Sequence, residues 1–155
     1  DEHPHIGIIS DDIYEKIVYD NFQFSTIASI FPKHKNRILT VNGVSKAYSM
    51  TGWRIGYAGA SKEIVKAIAK IQSQSTTNPS SVSQYAALEA LKGPQDCVTI
   101  MNNAFKSRSK IMFEELNKLD LVTCNDPQGA FYCFPNISKL NLNSCRLILF
   151  IAFLN

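Results

Sequence analysis

The stretch "VNGVSKAYSMTGWRIGY" occupies Val41–Tyr57. Its approach, "RILTVNG" (Arg37–Gly43), is apolar and β-branched and reads as a strand stopped by glycine. One lysine, Lys46, then follows among small and hydroxyl residues, and a second glycine, Gly52, precedes Trp53 and Arg54. A lone lysine after a strand is ordinarily a solvated surface residue. Here Gly43 and Ser45 are small enough for a ligand to approach the backbone closely. An amine that bonds aldehydes must spend part of its time uncharged, and desolvation or a nearby cation favours that form. Arg54 can supply the cation, and its planar fork suits an anion such as phosphate.

Upstream, "IGII" (Ile6–Ile9) reads as a buried parallel strand, with "SDDIYE" at its carboxyl end. Residues 21–35 read as loop with a short helix around Thr26 to Ile30. Downstream, Ser61 caps "KEIVKAIAKIQSQ", with Glu63 in the first turn and Ile64, Ala67, Ile68 and Ile71 at helical spacing. "TTNPSS" interrupts, and "SVSQYAALEALKG" reads as a second helix with Gly93 as its C-cap. Pro94 opens a longer helix from about Gln95 to Lys118. The pattern then changes: "LVTC" and "AFYCF" read as short strands around the turn "NDPQG", and the apolar tail 141–155 as a buried strand. Two strands ending near reactive groups predict an open α/β sheet, whose ligands gather beyond the strands' carboxyl ends. The last third reads as an α+β layer, dividing the chain into 1–93 and 94–155.

Length and composition set the bounds. A chain of 155 residues fits one ordinary domain. With 45% apolar and 19% charged residues it is globular rather than disordered. A net charge of +3 is too small and dispersed to predict nucleic-acid binding, and Lys33, Lys35 and Arg37 read as a solvated cluster. Cys97, Cys124, Cys133 and Cys145 show neither a CxxC nor zinc-ligand spacing, so no metal site is expected. Reduced thiols, the lack of a signal peptide and no apolar span of membrane length point to a cytoplasmic protein without membrane contact. The chain begins Asp1-Glu2 without Met, which suggests an excerpt of a longer sequence or a processed piece.

Asp11 and Tyr14 stand at the end of the upstream strand, three positions apart. Alone, Asp11 reads as a cap or loop residue, Asp12 as the more exposed neighbour, and Tyr14 as a core aromatic. With Lys46 and Arg54 they form a different proposition: amine, guanidinium, carboxylate and phenol at strand ends of one sheet. These are the groups a pyridoxal phosphate site requires, for aldehyde, phosphate, ring nitrogen and ring oxygen respectively.

"GVSKAYSMTGWRIG" (Gly43–Gly56) resembles the lysine signature of class I aminotransferases, of the fold-type-I pyridoxal phosphate family, at every position. "ISDDIYEKIVYD" (Ile9–Asp20) is similar to the family's strand-end "SDEIYE" segment. "SQSTTNPSSVSQYAALEAL" and "DPQGAFYCFPNIS" resemble bacterial aspartate aminotransferases, so the likeness runs from Ile6 to about Leu140. It implies a carboxyl-side part of the large cofactor domain, a mostly parallel sheet with flanking helices, plus the start of an α+β small domain. It implies pyridoxal 5'-phosphate as cofactor, an amino acid and a 2-oxo acid as substrates, and a homodimer with Ser73–Ser83 near the interface. By register Lys46 is the aldehyde-binding base, Asp11 the ring-nitrogen partner, Tyr14 the ring-oxygen partner and Arg54 the phosphate clamp.

The likeness also has gaps. The family's glycine-rich phosphate loop, its ring-stacking aromatic and its asparagine near the ring oxygen have no counterpart here. Arg146, in "SCRLILFIAFLN", follows "GAFY" too soon to match the family's substrate-carboxylate arginine. An isolated chain of this kind is expected to be inactive alone, and poorly soluble, because its sheet lacks neighbours. A decayed or split gene product and another fold-type-I enzyme, a β-lyase or synthase, are the alternatives. A P-loop module is disfavoured, since "GVSK" lacks GxxxxGK[ST] spacing.

Overall fold

The structure is a computed structural model that describes residues 2–140. The tail, Cys145 and Arg146 lie outside the described residues. β1 (Ile8–Asp11), β2 (Ile38–Gly43) and β3 (Gly56–Gly59) form a three-stranded sheet in the order β1-β2-β3. β1 runs parallel to β2, with Ile8 opposite Ile38 and Asp11 opposite Val41. β3 runs antiparallel to β2, with Gly43 opposite Gly56. The sheet is thus mixed rather than mostly parallel as far as it is described. β3, "GYAG", lacks a run of β-branched residues, so its strand character comes from pairing with β2 rather than from propensity.

The expected buried strand "IGII" is corrected in both extent and burial. β1 starts at Ile8, and Ile6 and Ile9 are 48% and 73% exposed, because β1 is an edge strand with an uncovered face. The short helix is α1 (Ile27–Ile30), followed by a 3-10 turn over Pro32–Arg37. Arg37 is not a merely solvated charge. Its Nη1 donates to His3 O at 2.7 Å and Ile6 O at 3.1 Å, tying the preceding segment to the start of β2.

The three expected helices are α2 (Lys62–Ser75), α3 (Ser81–Lys92) and α4 (Asp96–Asn117). Ser61 caps α2, accepting from Ile64 N at a long 3.5 Å. Gly93 does not adopt the left-handed conformation of a glycine cap, its φ being −72°. Its lack of a side chain serves clearance instead, since a Cβ there would meet Glu89 O at 2.8 Å.

The main core cluster lies where the Lys46 loop meets α3 and α4: Val44, Ala47, Tyr48 and Ile55 pack with Ala87 and Val98. Val44 is fully buried, which for a side chain of its size stabilises by about 1.5–3 kcal/mol. Hydrogen bonds reinforce this packing. Tyr48 Oη donates to Gln95 Oε1 at 2.9 Å, and Gln95 Nε2 donates to Ala90 O and Gly93 O. The loop that carries the lysine is therefore a rigid, packed element rather than a mobile excursion. By contrast α2 contributes no buried residue: Ile64 and Ile68 are only half-buried, and Ile71 is 71% exposed.

Beyond α4 the expectation of an "AFYCF" strand fails. β4 (Thr123–Cys124) pairs with β5 (Pro135–Asn136), and Gly129 instead bridges Val18. The backbone of 128–130 is held by Tyr19 and Ile17, which removes it from the β4 ladder. Among the described residues no helix is long and apolar enough to cross a membrane.

Candidate active site

All four expected site residues emerge at one end of the sheet. Asp11 ends β1, beside Val41 of the parallel β2. Lys46 lies three residues beyond Gly43 and Arg54 two residues before its partner Gly56, so both belong to the loop that closes over this end. Val44 N donates to Ile55 O and Met50 N to Val44 O, both at 3.4 Å, folding that loop onto itself. Gly43 is needed for this closure: a Cβ there would stand 2.9 Å from Ile55 O and 3.1 Å from Ile13 Cδ1.

The structure brings Lys46 and Tyr14 to a common ring. Lys46 Nζ lies 5.7 Å from the centroid of Phe131, within cation–π range. Tyr14 meets the same ring edge-on, with centroids 5.3 Å apart. The Tyr14 hydroxyl lies 2.8 Å from that of Tyr132. Burial, the hydrogen bond and charge of Tyr132, and the Asp11 carboxylate, in that order, push the Tyr14 phenol up to about 12. Tyr14 is thus a neutral donor at any ordinary pH.

Asp11 is exposed, and its Oδ1 accepts from Ile13 N at 3.2 Å. Asp12 reverses the expected exposure. It is the buried carboxylate of the pair, 6% exposed, and accepts from Ser10 Oγ at 2.7 Å. Its own N–H donates to Val41 O at 2.9 Å, continuing the ladder and turning its side chain inward while Asp11 faces out. A cleft of about 190 Å³ lies beside Asp11 and Tyr14, walled in part by Phe22, Phe24 and Ala130. Lys46 and Arg54 do not line it. Arg54 is exposed and sits in a left-handed conformation, φ 56°. Its Nη1 donates to Thr51 O at 2.9 Å within its own turn, so the guanidinium is at the right end of the sheet without touching the Lys46–Tyr14 group.

Two residues of this site had no expected role: Phe131 and Tyr132. They lie in a segment read only as a short strand and for its likeness, and Tyr132 stands 118 positions from Tyr14, a contact that no local pattern encodes. Tyr48 was also missed, and it fixes the Lys46 loop to α4 through Gln95.

The chain is similar to known proteins over most of its length. An aspartate/prephenate aminotransferase of Cereibacter sphaeroides is 54% identical over 136 residues, covering 88% of this chain and 34% of that protein. An aspartate aminotransferase of Rhizobium meliloti is 54% identical over 132 residues, covering 85% of this chain and 32% of its own length. The crystal structure of the aspartate aminotransferase from Rhizobium meliloti matches with a TM-score of 0.85 at 51% identity, covering 89% of this chain and 34% of that one. An aromatic aminotransferase from Pyrococcus horikoshii matches with a TM-score of 0.85 at 36% identity, covering 92% and 38%. The chain therefore spans about a third of the length of the relatives it matches. Residues 1–149 match the family described as aminotransferase class I and II, and the chain belongs to that family.

Proposed function

We propose that this chain carries the lysine-bearing part of an aminotransferase that moves an amino group between an amino acid, aspartate foremost, and a 2-oxo acid with pyridoxal 5'-phosphate. The observation that carries the reading is Lys46 and Tyr14 meeting on one ring at the carboxyl end of the β1–β2 pair. The donor set suits that cofactor: an amine, a neutral phenol, an exposed carboxylate and a guanidinium all open to one end of one sheet. When bound, pyridoxal phosphate supplies an aldehyde for the amine and a ring that accepts electrons from the substrate's α-carbon.

Lys46 Nζ would hold the cofactor through its aldehyde carbon and, once displaced by the substrate's amine, would take the proton from the substrate's α-carbon and deliver it to the cofactor's carbon. Packing of Val44, Ala47 and Tyr48 around it keeps the amine's base fixed through that exchange. Asp11 would pair with the ring nitrogen and keep it protonated. Tyr14, neutral by its surroundings, would donate to the ring oxygen. Arg54, whose Nη1 now donates to Thr51 O, would hold the phosphate with its guanidinium. The names of the relatives, aspartate and aspartate/prephenate aminotransferases, support aspartate as the amino donor.

Within this reading the division at Gly93–Pro94 separates cofactor body from small domain, with α4 bridging them through Gln95 and Val98. The whole enzyme acts as a cytoplasmic homodimer, and exposed Val82 and Tyr85 on α3 are candidates for its interface. Mixing the chain with pyridoxal phosphate, reducing with borohydride and mapping the label tests the site. Label on Lys46, lost in Lys46→Arg, is expected; label on another lysine, or none, refutes the assignment.

A further inference from the structure

Phe131 and Tyr132 are unusually well placed for residues with no assigned role. Ala130 N donates to Ile17 O at 2.8 Å, Tyr19 N donates to Gln128 O at 2.9 Å, and Tyr19 Oη donates to Ala130 O. The backbone entering Phe131 is thereby pinned to the segment just after Tyr14. On its other side Phe131 packs on Phe105 of α4, with centroids 5.2 Å apart. The Tyr132 ring stands at 77° to Tyr14, 5.7 Å away, with the hydroxyls in contact.

Core packing alone does not explain this arrangement. Phe131 is 39% and Tyr132 59% exposed, and the main buried cluster lies elsewhere, around Val44 and Ile55. Rings so exposed gain little by burial, yet they contact two of the four expected site residues. We infer that Tyr132 is a positioning residue acting through Tyr14: its hydroxyl holds the Tyr14 phenol in place as a donor, over the Phe131 ring that Tyr14 shares with Lys46. A phenol can accept one hydrogen bond while donating another. Tyr14 donating to Tyr132 is the direction that keeps the Tyr14 phenol protonated, so the proton is held in place on Tyr14 until an acceptor in the site takes over that hydrogen bond. The ring oxygen as that acceptor rests on the function proposed above; the Tyr14–Tyr132 coupling does not.

The test is made on the chain without cofactor. Tyr132→Phe removes the hydroxyl and keeps the ring. Tyrosines labelled with carbon-13 at the ring carbon bearing oxygen report each phenol's ionisation by NMR, and Tyr14→Phe assigns the Tyr14 signal. In the unsubstituted chain Tyr14 is expected to titrate well above a free tyrosine, at about 12. Tyr132→Phe removes the hydrogen bond and charge of Tyr132 and so lowers the midpoint, giving more Tyr14 phenolate at a pH below both midpoints. Burial, the largest cause of the shift, persists, so the midpoint stays above that of a free tyrosine. A merely structural Tyr132 would leave Tyr14 unmoved when its ring is retained. A Tyr14 midpoint near 10 in the unsubstituted chain, or one unchanged by Tyr132→Phe, overturns the inference. Failure of the borohydride label with the shift intact would instead remove the proposed function and leave the coupling.

Discussion

Replacing Gly129 with alanine tests whether close backbone approach is what seats the aromatic pair beside Lys46. A Cβ at Gly129 would lie 2.6 Å from Ile17 O, with Val18 Cα at 3.5 Å. That oxygen is backbone and already accepts from Ala130 N at 2.8 Å, so it cannot turn aside without breaking the bond that pins Phe131. Overpacking of this sort costs about 1–3 kcal/mol. Expressed as a local opening equilibrium, about 1–3 kcal/mol is a loss of roughly five- to 150-fold in protection. Native-state hydrogen exchange at the amides of Ala130 and Tyr19 reads that loss where it arises, independently of the stability of the rest of the chain. Gly7→Ala is the control, because a Cβ there meets nothing within 4 Å. If Gly129→Ala leaves both amides as protected as Gly7→Ala does, the steric account of the bridge between Val18 and Gly129 is wrong.

Further outcomes follow from the same contacts. Tyr48→Phe deletes the bond to Gln95 Oε1 and should destabilise the Lys46 loop by about 0.5–1.5 kcal/mol, measured by denaturant titration. Tyr14, Tyr19 and Tyr57 all have raised phenol pKa values, burial being the largest cause for each. The folded state therefore favours the neutral phenols. Their contribution is present in full below the unfolded value near 10 and is lost as pH rises toward about 12, so stability should be level through neutrality and fall above pH ~10. A fall beginning near pH 8 would contradict this. Exposed Ile9, Ile71, Val82, Tyr85 and Phe134 predict strong binding of an apolar-surface dye by the chain alone, and a dye signal as low as that of an ordinary compact protein would show these faces to be covered.

Much of the site was legible because its information is local. Gly43, Lys46 and Arg54 lie within one short loop, and the glycine that ends β2 marks where that loop begins. Helix α2 was legible through its Ser61 cap and apolar spacing, and α3 and α4 through the residues that interrupt and open them, since each helix is made of contacts between near neighbours. The Asp11–Asp12 order was not legible. Two adjacent carboxylates look alike in sequence, and only the register of β1 against β2, with Asp12 N reaching Val41 O, turns one inward and the other out. β3 was invisible for the reason that "GYAG" has too little side chain to declare a preference.

The sequence by itself determined the chemistry on offer and where the chain turns, because residue type and short-range spacing set both. Tertiary structure decided what meets what. Tyr132 reaches Tyr14 across 118 positions only because Gly129, lacking a Cβ, lets one backbone lie against another. Such contacts have no period along the chain and depend on the closing of a long loop, so they exist only once the elements have packed.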